Sequence, residues 1–322
     1  MFSEFFTNNL PSFSFFVSEV FSPTKNLEYK SPTVSTINVT APCLTKESIP
    51  TAIVKKTSAQ SPSLAGIPIQ LISPTFSSQY TSSGTNTSPS SACGTGSVSY
   101  NSSVSEYNGI LGVGLFLTDG QSYFGCSGGT CSTISPSLSL QLANPVASLS
   151  QDNNGVLIEL PSIGSSGSAS ATGTLLLGIG TESNNSPASL EAFETNTSGD
   201  ITGIFNGANT TVFFDSGSNG LFFSDSAIPS CKSGYSSWYC PTSTLNLSAT
   251  ISGLASNSAT VNFAVDNAIS LFAGNAAALN DLAGNGSHSL DLGLPFFYGR
   301  DMGLVFDTQN SSSGTGPLFL VP

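Results

Sequence analysis

The sequence has few charged residues, and this scarcity excludes several classes of function. Only 19 acidic and 7 basic residues occur among 322, so 8% are charged, against about 25% in an ordinary globular protein. Seven basic residues are too few to neutralise a phosphate backbone, so no nucleic-acid partner is predicted. The single histidine, His288, argues against a zinc site of several imidazoles and against histidine-dependent nucleophilic catalysis. Carboxylate chemistry without a cofactor or metal remains, or no catalysis at all.

The sequence also lacks a long apolar run and a clear export signal. No stretch reaches the 18 apolar residues of a transmembrane helix. The first 21 residues contain no basic residue and include Glu4 and Glu19, which makes them a poor signal peptide. The rest of the chain, with its uncharged polar residues and six cysteines, is nevertheless typical of an exported protein. We therefore predict a periplasmic, cell-surface or secreted protein, and expect that the true start lies upstream or that the chain has been cut.

The six cysteines predict disulfides rather than a metal site, because no C-x-x-C spacing and no second histidine are present. Two pairs are close in sequence and flank loops rich in glycine and serine. Proximity alone favours three pairings, although six cysteines allow 15 connectivities. The favoured pairings are Cys126–Cys131, Cys231–Cys240 and Cys43–Cys93.

The hydrophobic pattern indicates a mostly β protein with a large core. Hydrophobic residues make up 39% of the chain and include 22 phenylalanines. Short apolar runs alternate with turns of Ser, Gly, Asn and Thr, and they are too short for helices. The best helix candidate is 264–282, where Ala and Leu recur. The predicted strands include 67–72, 155–160, 174–179, 211–214 and 304–306.

The strongest local motif is an aspartate that ends an apolar run. Asp215 follows Val-Phe-Phe and precedes Ser216, Gly217 and Ser218, after which a second apolar run begins. Apolar neighbours raise the pKa of a carboxyl group, which suits acid–base work. Gly217 predicts a tight turn, and the two hydroxyls can orient the carboxylate. Asp-Ser-Gly is equally common in an ordinary hairpin turn, so the motif alone leaves both interpretations open.

Four further segments, in order along the chain, resemble the pepsin-like aspartic peptidases. Asn-Gly-Ile-Leu-Gly-Val-Gly-Leu at 108–115 is similar to the end of their N-terminal lobe, and Thr-Leu-Leu-Leu-Gly-Ile-Gly at 174–180 to the strand before their second aspartate. Leu-Asp-Leu-Gly at 290–293 with Gly-Leu-Val-Phe-Asp at 303–307, and the closing 316–322, resemble their last strands. The resemblance covers about residues 60–322 and is closest to a bacterial, uncharacterised exported branch.

This resemblance implies a mostly β, bilobal pepsin-like fold. Residues 1–148 would form an incomplete or degenerate N-terminal lobe, and residues 149–322 the C-terminal lobe. Asp215 would be the second catalytic aspartate, Ser216 the hydroxyl that links the two active-site loops, and Gly217 the turn residue. Ser218 joins these candidate site residues on its local position alone, as a hydroxyl that can orient the carboxylate. A monomer is expected, with a peptide or protein as substrate or ligand in the cleft between the lobes.

The first catalytic aspartate of that family is missing. The earliest aspartate is Asp119, which follows the first lobe's closing glycine, Gly112. Glu19 is a poor substitute, because no glycine follows it. Three interpretations follow: a pseudoenzyme, a fragment of an active enzyme, or, ranked last, one of two copies that each donate Asp215. We predict an aspartic-endopeptidase-like protein, inactive or impaired as given. The alternative is a non-catalytic exported protein that binds peptides or glycans on the same scaffold.

Overall fold

A computed structural model gives the fold. The structure describes residues 14–17, 43–45, 51–55, 63–68, 111–118, 123–127, 130–232, 234–274, 276–286 and 289–322. Five residues named in the sequence analysis lie outside this part of the chain: Glu4, Glu19, Cys93, Asp119 and His288. Residues 69–72 of the predicted strand 67–72 lie outside it too.

The prediction of a mostly β protein is confirmed, since strands far outnumber helices in the described residues. A 3-10 turn spans Leu138–Leu140, and the two helices are α1 (Ala268–Phe272) and α2 (Leu294–Phe297). The strands are β1 (Ser14–Val17), β2 (Cys43–Thr45), β3 (Thr51–Lys55), β4 (Ser63–Pro68), β5 (Leu111–Gly114), β6 (Tyr123–Ser127), β7 (Thr130–Ile134), β8 (Gly155–Glu159), β9 (Thr174–Leu177), β10 (Glu191–Glu194), β11 (Ile201–Phe205), β12 (Ala208–Asp215), β13 (Leu221–Phe223), β14 (Leu245–Ser252), β15 (Ser258–Val265), β16 (Ala283–Asn285), β17 (Leu290–Gly293), β18 (Asp301–Val305), β19 (Asn310–Ser311), β20 (Gly314–Thr315) and β21 (Leu318–Val321).

The chain forms two compact units. The larger unit takes residues 1–18, 111–117 and 151–322, and the smaller takes 19–110 and 118–150. Within the described part of the smaller unit, β2, β6 and β7 form one sheet and β3 pairs with β4. The predicted lobe boundary at 148/149 and the bilobal pepsin-like architecture stay predictions.

Two sheets dominate the larger unit. One has the strand order β10-β21-β18-β8-β9, and the other has the order β15-β14-β11-β12-β17-β13-β16. Strand β1 pairs with β5, and β19 with β20. The rings of Phe214 in β12 and Phe319 in β21 meet edge to face at 5.1 Å, so the two sheets pack together through aromatic side chains. Both rings are almost completely buried.

The centre of the second sheet has a distinctive connectivity. Strand β12 runs parallel to β17, and β13 pairs antiparallel with the other side of β17. The chain therefore leaves β12, turns through residues 216–220, and returns on the far side of a strand that comes 75 residues later. The turn at the end of β12 consequently lies beside the end of β17, and this arrangement positions the site described below.

The structure bears on the predicted disulfides and on the predicted helix. The Cys231–Cys240 disulfide is confirmed, with an S–S distance of 2.08 Å. The backbone register places Cys126 opposite Cys131 in the β6–β7 hairpin, while that disulfide and Cys43–Cys93 stay predictions. The helix predicted for 264–282 is wrong over most of its length: residues 264–265 are the end of β15, α1 covers only Ala268–Phe272, and the described residues after it form turns and a bridge between Ala278 and Ser168.

No helix in the described residues is both long enough and apolar enough to cross a membrane.

Candidate active site

Asp215 lies at the buried end of a central strand. Strand β12 follows β11 through a two-residue turn at Asn206 and Gly207, both with positive φ, which is the geometry of a tight hairpin. The first half of β12 is largely exposed, whereas its last four residues, 212–215, are all buried. Asp215 is only 3% exposed. A strand covered on both faces needs a continuous apolar run, and Val-Phe-Phe before the aspartate supplies it.

The turn after Asp215 holds both oxygens of its carboxylate. The backbone N–H of Gly217 donates to Oδ1 at 2.8 Å, and Ser218 Oγ lies 3.0 Å from Oδ2. The backbone N–H of Ser218 donates to the carbonyl oxygen of Asp215 at 3.0 Å. Aspartate side chains commonly close turns in this way. Gly217 therefore contacts the carboxylate through its backbone N–H, and Ser218 contacts it through its side-chain hydroxyl.

Gly293 explains why β17 can approach this turn so closely. It is opposite Asp215 in the parallel register of β12 and β17. A Cβ at this position would lie 2.1 Å from the carbonyl oxygen of Gly220 and 2.8 Å from that of Ser218. The N–H of Leu294 donates to that same Ser218 carbonyl at 2.8 Å. Only glycine fits here without displacing the backbone, which explains on steric grounds why the Leu-Asp-Leu-Gly segment ends in glycine.

A second carboxyl group, which the sequence analysis did not select, reaches the same turn. Asp291 Oδ2 lies 2.7 Å from Ser218 Oγ, so Ser218 bridges Asp215 and Asp291. Asp291 is 8% exposed, and its Oδ1 is buried without a hydrogen-bond partner among the described residues. The sequence could have indicated Asp291, because it is the one charged residue in a strand that is otherwise apolar.

Burial dominates the electrostatics of both carboxyl groups. It raises the pKa of Asp215 to about 6, and the hydrogen bonds from Gly217 and Ser218 offset part of that effect. The pKa of Asp291 is raised well above its ordinary value, first by burial and then by the negative charge of Asp215. The Ser218 contact acts in the opposite direction for Asp291. Two carboxyl groups this close titrate as a pair rather than independently.

Ser216 has a different environment from Ser218. Its Oγ is buried, yet it has no hydrogen-bond partner among the described residues. The resemblance assigns this hydroxyl to a link with the other active-site loop, and that role stays a prediction. A buried hydroxyl without a partner is rare in folded proteins and calls for an explanation.

The family of the chain can now be stated. A family model described as a protein of unknown function, DUF3443, matches residues 45–320. The chain belongs to the DUF3443 family. The match spans most of the chain and includes the 215–218 turn and Asp291. No curated protein matches the chain.

Elsewhere in this DUF3443 chain the described residues offer no second site of the same kind. They contain no cluster of three or more histidine, cysteine or acidic side chains that could hold a metal ion. Asp281 is another buried carboxyl group, 2% exposed, with an Oδ1 that lacks a partner. Burial, and then the charge of Asp266, raises the pKa of Asp281 to about 6. Within the part of the chain that the structure describes, no serine bridges Asp281 to a second carboxyl group, so Asp281 serves below as a control.

Proposed function

We propose that the chain is an aspartic-endopeptidase-like protein in which Asp215 is the retained catalytic carboxylate. One observation carries the proposal: Asp215 ends a buried strand, the Ser-Gly-Ser turn holds both its oxygens, and the glycine of a parallel strand lies opposite it. The apolar strand, the turn and the glycine are the elements through which the sequence resembles pepsin-like peptidases.

The chemistry of such a site depends on two carboxyl groups that share one proton. One carboxylate takes a proton from a bound water, and the other protonates the substrate carbonyl. With a pKa of about 6, Asp215 is ionised, as the first role requires, only near and above that pH. The first 118 residues contain no aspartate, so we propose that the chain alone hydrolyses peptides poorly or not at all. Ser216 supports this, since its buried hydroxyl has no partner among the described residues and so leaves a donor and an acceptor for a second loop.

A non-catalytic function in peptide or glycan binding is the second candidate, and a row of aromatic rings favours it. Phe222 in β13 lies 5.5 Å from Trp238, which lies 5.4 Å from Phe272. Tyr235 extends the row at 5.6 Å from Phe272 and is 45% exposed. Partly exposed rings offer stacking area for sugars or apolar side chains at little cost in conformational entropy.

We propose further that the protein is exported and acts as a monomer on peptides or proteins, without nucleic acid. The Cys231–Cys240 disulfide supports export, because disulfides persist mainly in oxidising compartments.

The test is cleavage of a peptide library between pH 3 and 7, with and without pepstatin. Wild type and Asp215→Asn are compared, and Asp281→Asn is the matched control because it neutralises a buried carboxyl group outside the site. Slow, pepstatin-sensitive cleavage that Asp215→Asn abolishes and Asp281→Asn preserves supports the peptidase. Cleavage that survives Asp215→Asn refutes it. Binding of a peptide or glycan without cleavage supports the non-catalytic binding function if Asp215→Asn leaves it unchanged and Trp238→Ala reduces it.

A further inference from the structure

The bridge at Ser218 requires at least one of the two carboxyl groups to carry a proton. A serine hydroxyl has one hydrogen and can donate to one acceptor only. Ser218 Oγ lies 3.0 Å from Asp215 Oδ2 and 2.7 Å from Asp291 Oδ2. If both carboxyl groups were ionised, each would need a hydrogen from Ser218. Because Ser218 has only one, the oxygen atoms in the other contact would face each other with no hydrogen between them. At least one of the carboxyl groups must therefore be protonated and donate to Ser218.

The surroundings decide which carboxyl group holds the proton. Asp215 accepts the N–H of Gly217 on Oδ1, which stabilises its ionised form. Asp291 has no such donor, since its Oδ1 is buried without a partner in the described residues. An unpaired oxygen is tolerated far better on a neutral carboxylic acid than on a buried carboxylate.

The neighbours of Asp291 support the same assignment. The adjoining strands place Phe213 and Phe222 beside it in register. Among the titratable groups that the structure describes, Asp215 is the one that acts on Asp291, and its negative charge opposes ionisation. No cation acts on Asp291 among the described residues, and the Ser218 contact is the one feature there that favours its ionised form.

We propose that Asp291 is a positioning residue that keeps its proton at neutral pH, donates it in a hydrogen bond to Ser218 Oγ, and so directs the Ser218 hydrogen onto ionised Asp215. The hydrogen bonds then run in one direction, from Asp291 through Ser218 to Asp215. The role proposed for Asp291 is therefore to position the Ser218 hydrogen and not to act on a substrate. The inference goes beyond the proposed peptidase function, since the proton count holds whether or not Asp215 acts on a peptide.

Infrared spectroscopy of the full chain at pH 7.5 tests the location of the proton. A protonated carboxylic acid gives a carbonyl band that ionised carboxylates lack. We expect this band in wild type and in Asp281→Asn, and its loss in Asp291→Asn, where the amide N–H can still donate to Ser218. In Asp215→Asn the band should remain, but disappear at a lower pH than in wild type, because the opposing charge is gone. A wild type without the band, or a band lost in Asp215→Asn and kept in Asp291→Asn, overturns the proposal.

The path through Ser218 is tested by NMR titration of the side-chain carboxyl carbons, which is practical with ten aspartates. Ser218→Ala should move the Asp215 titration to higher pH, because the ionised form loses a donor. Asp291→Leu should move it in the same direction when Ser218 is present, and have no further effect in the Ser218→Ala background. Equal effects of Asp291→Leu in both backgrounds would show that Asp291 does not act through Ser218. Neither measurement depends on peptide cleavage, so a failed cleavage assay leaves this test intact.

Discussion

Replacing Asp215 with asparagine should change how the stability of the larger unit depends on pH. The pKa of Asp215 is raised from 3.8 to about 6 in the folded protein, mainly by burial. An acid whose pKa is raised by folding stabilises the folded state fully below its unfolded pKa, and that stability is lost as pH rises through the folded pKa. The loss from Asp215 therefore falls between about pH 4 and pH 6.

The size of this effect follows from the shift. A change of one pKa unit corresponds to about 1.4 kcal/mol, so a rise from 3.8 to about 6 amounts to about 3 kcal/mol. No reduction for solvent screening is needed, since Asp215 is 3% exposed. Wild type should lose about 3 kcal/mol relative to Asp215→Asn between pH 4 and pH 7. The variant is thus expected to gain relative stability as the solution becomes neutral.

Urea unfolding at several pH values measures this difference. Trp238 is the only tryptophan in the chain and belongs to the larger unit, so its fluorescence reports on that unit. Asp301→Asn, which removes an exposed negative charge, controls for the general effect of charge removal. If the free-energy difference between wild type and Asp215→Asn varied by less than about 1 kcal/mol from pH 4 to pH 7, the burial argument for Asp215 would be refuted.

Three further substitutions or treatments follow from the same structure, each measured by urea unfolding at pH 5. Ser218→Ala should cost about 1–3 kcal/mol, because it leaves buried carboxyl oxygens unpaired, whereas Ser216→Ala should change stability by less than about 0.5 kcal/mol. Equal costs would contradict the bridging role of Ser218. Gly293→Ala should cost about 3 kcal/mol or more because its Cβ meets backbone oxygens, while Gly164→Ala, which has open space, should be nearly neutral. A stable Gly293→Ala protein would contradict the close approach. Reducing the disulfide of the 231–240 loop should cost about 2–3 kcal/mol, the value for a loop of this length, and an unchanged midpoint would contradict it.

The sequence predicts those parts of the fold that depend on local pattern. The apolar runs of β8, β9, β12 and β18 are all strands, because a continuous run of Val, Leu, Ile and Phe can be buried only inside a sheet here. The disulfide between Cys231 and Cys240 is equally local, with nine residues of separation. The turn after Asp215 follows from its own Ser-Gly-Ser sequence.

Features that depend on contacts between distant parts of the chain could not be predicted from local sequence patterns. At the start of the helix predicted for 264–282, Ala264 and Val265 pair with β14, and further along Ala278 forms a bridge with Ser168. These distant partners override the helical spacing of Ala and Leu that favoured a helix there. Asp291 is missed for a related reason. Its partner Ser218 is 73 residues away, and no local pattern reveals which turn will lie beside β17. Only the presence of a charge inside an apolar strand hinted that this position has a special role.

The two sides of Asp215 differ in a way that constrains its chemistry. Both oxygens of its carboxylate have partners, the N–H of Gly217 and Ser218 Oγ, and Gly293 permits the close packing of β17 against the turn. At Ser216, by contrast, a buried hydroxyl has no partner among the described residues. Both carboxyl groups contact Ser218 Oγ and the charge of Asp215 opposes ionisation of Asp291, so the role proposed for Asp291 is to tune the charge of Asp215. In the proposed two-carboxylate hydrolysis, a loop that brought a second carboxylate to the side of Ser216 would also give that hydroxyl a partner.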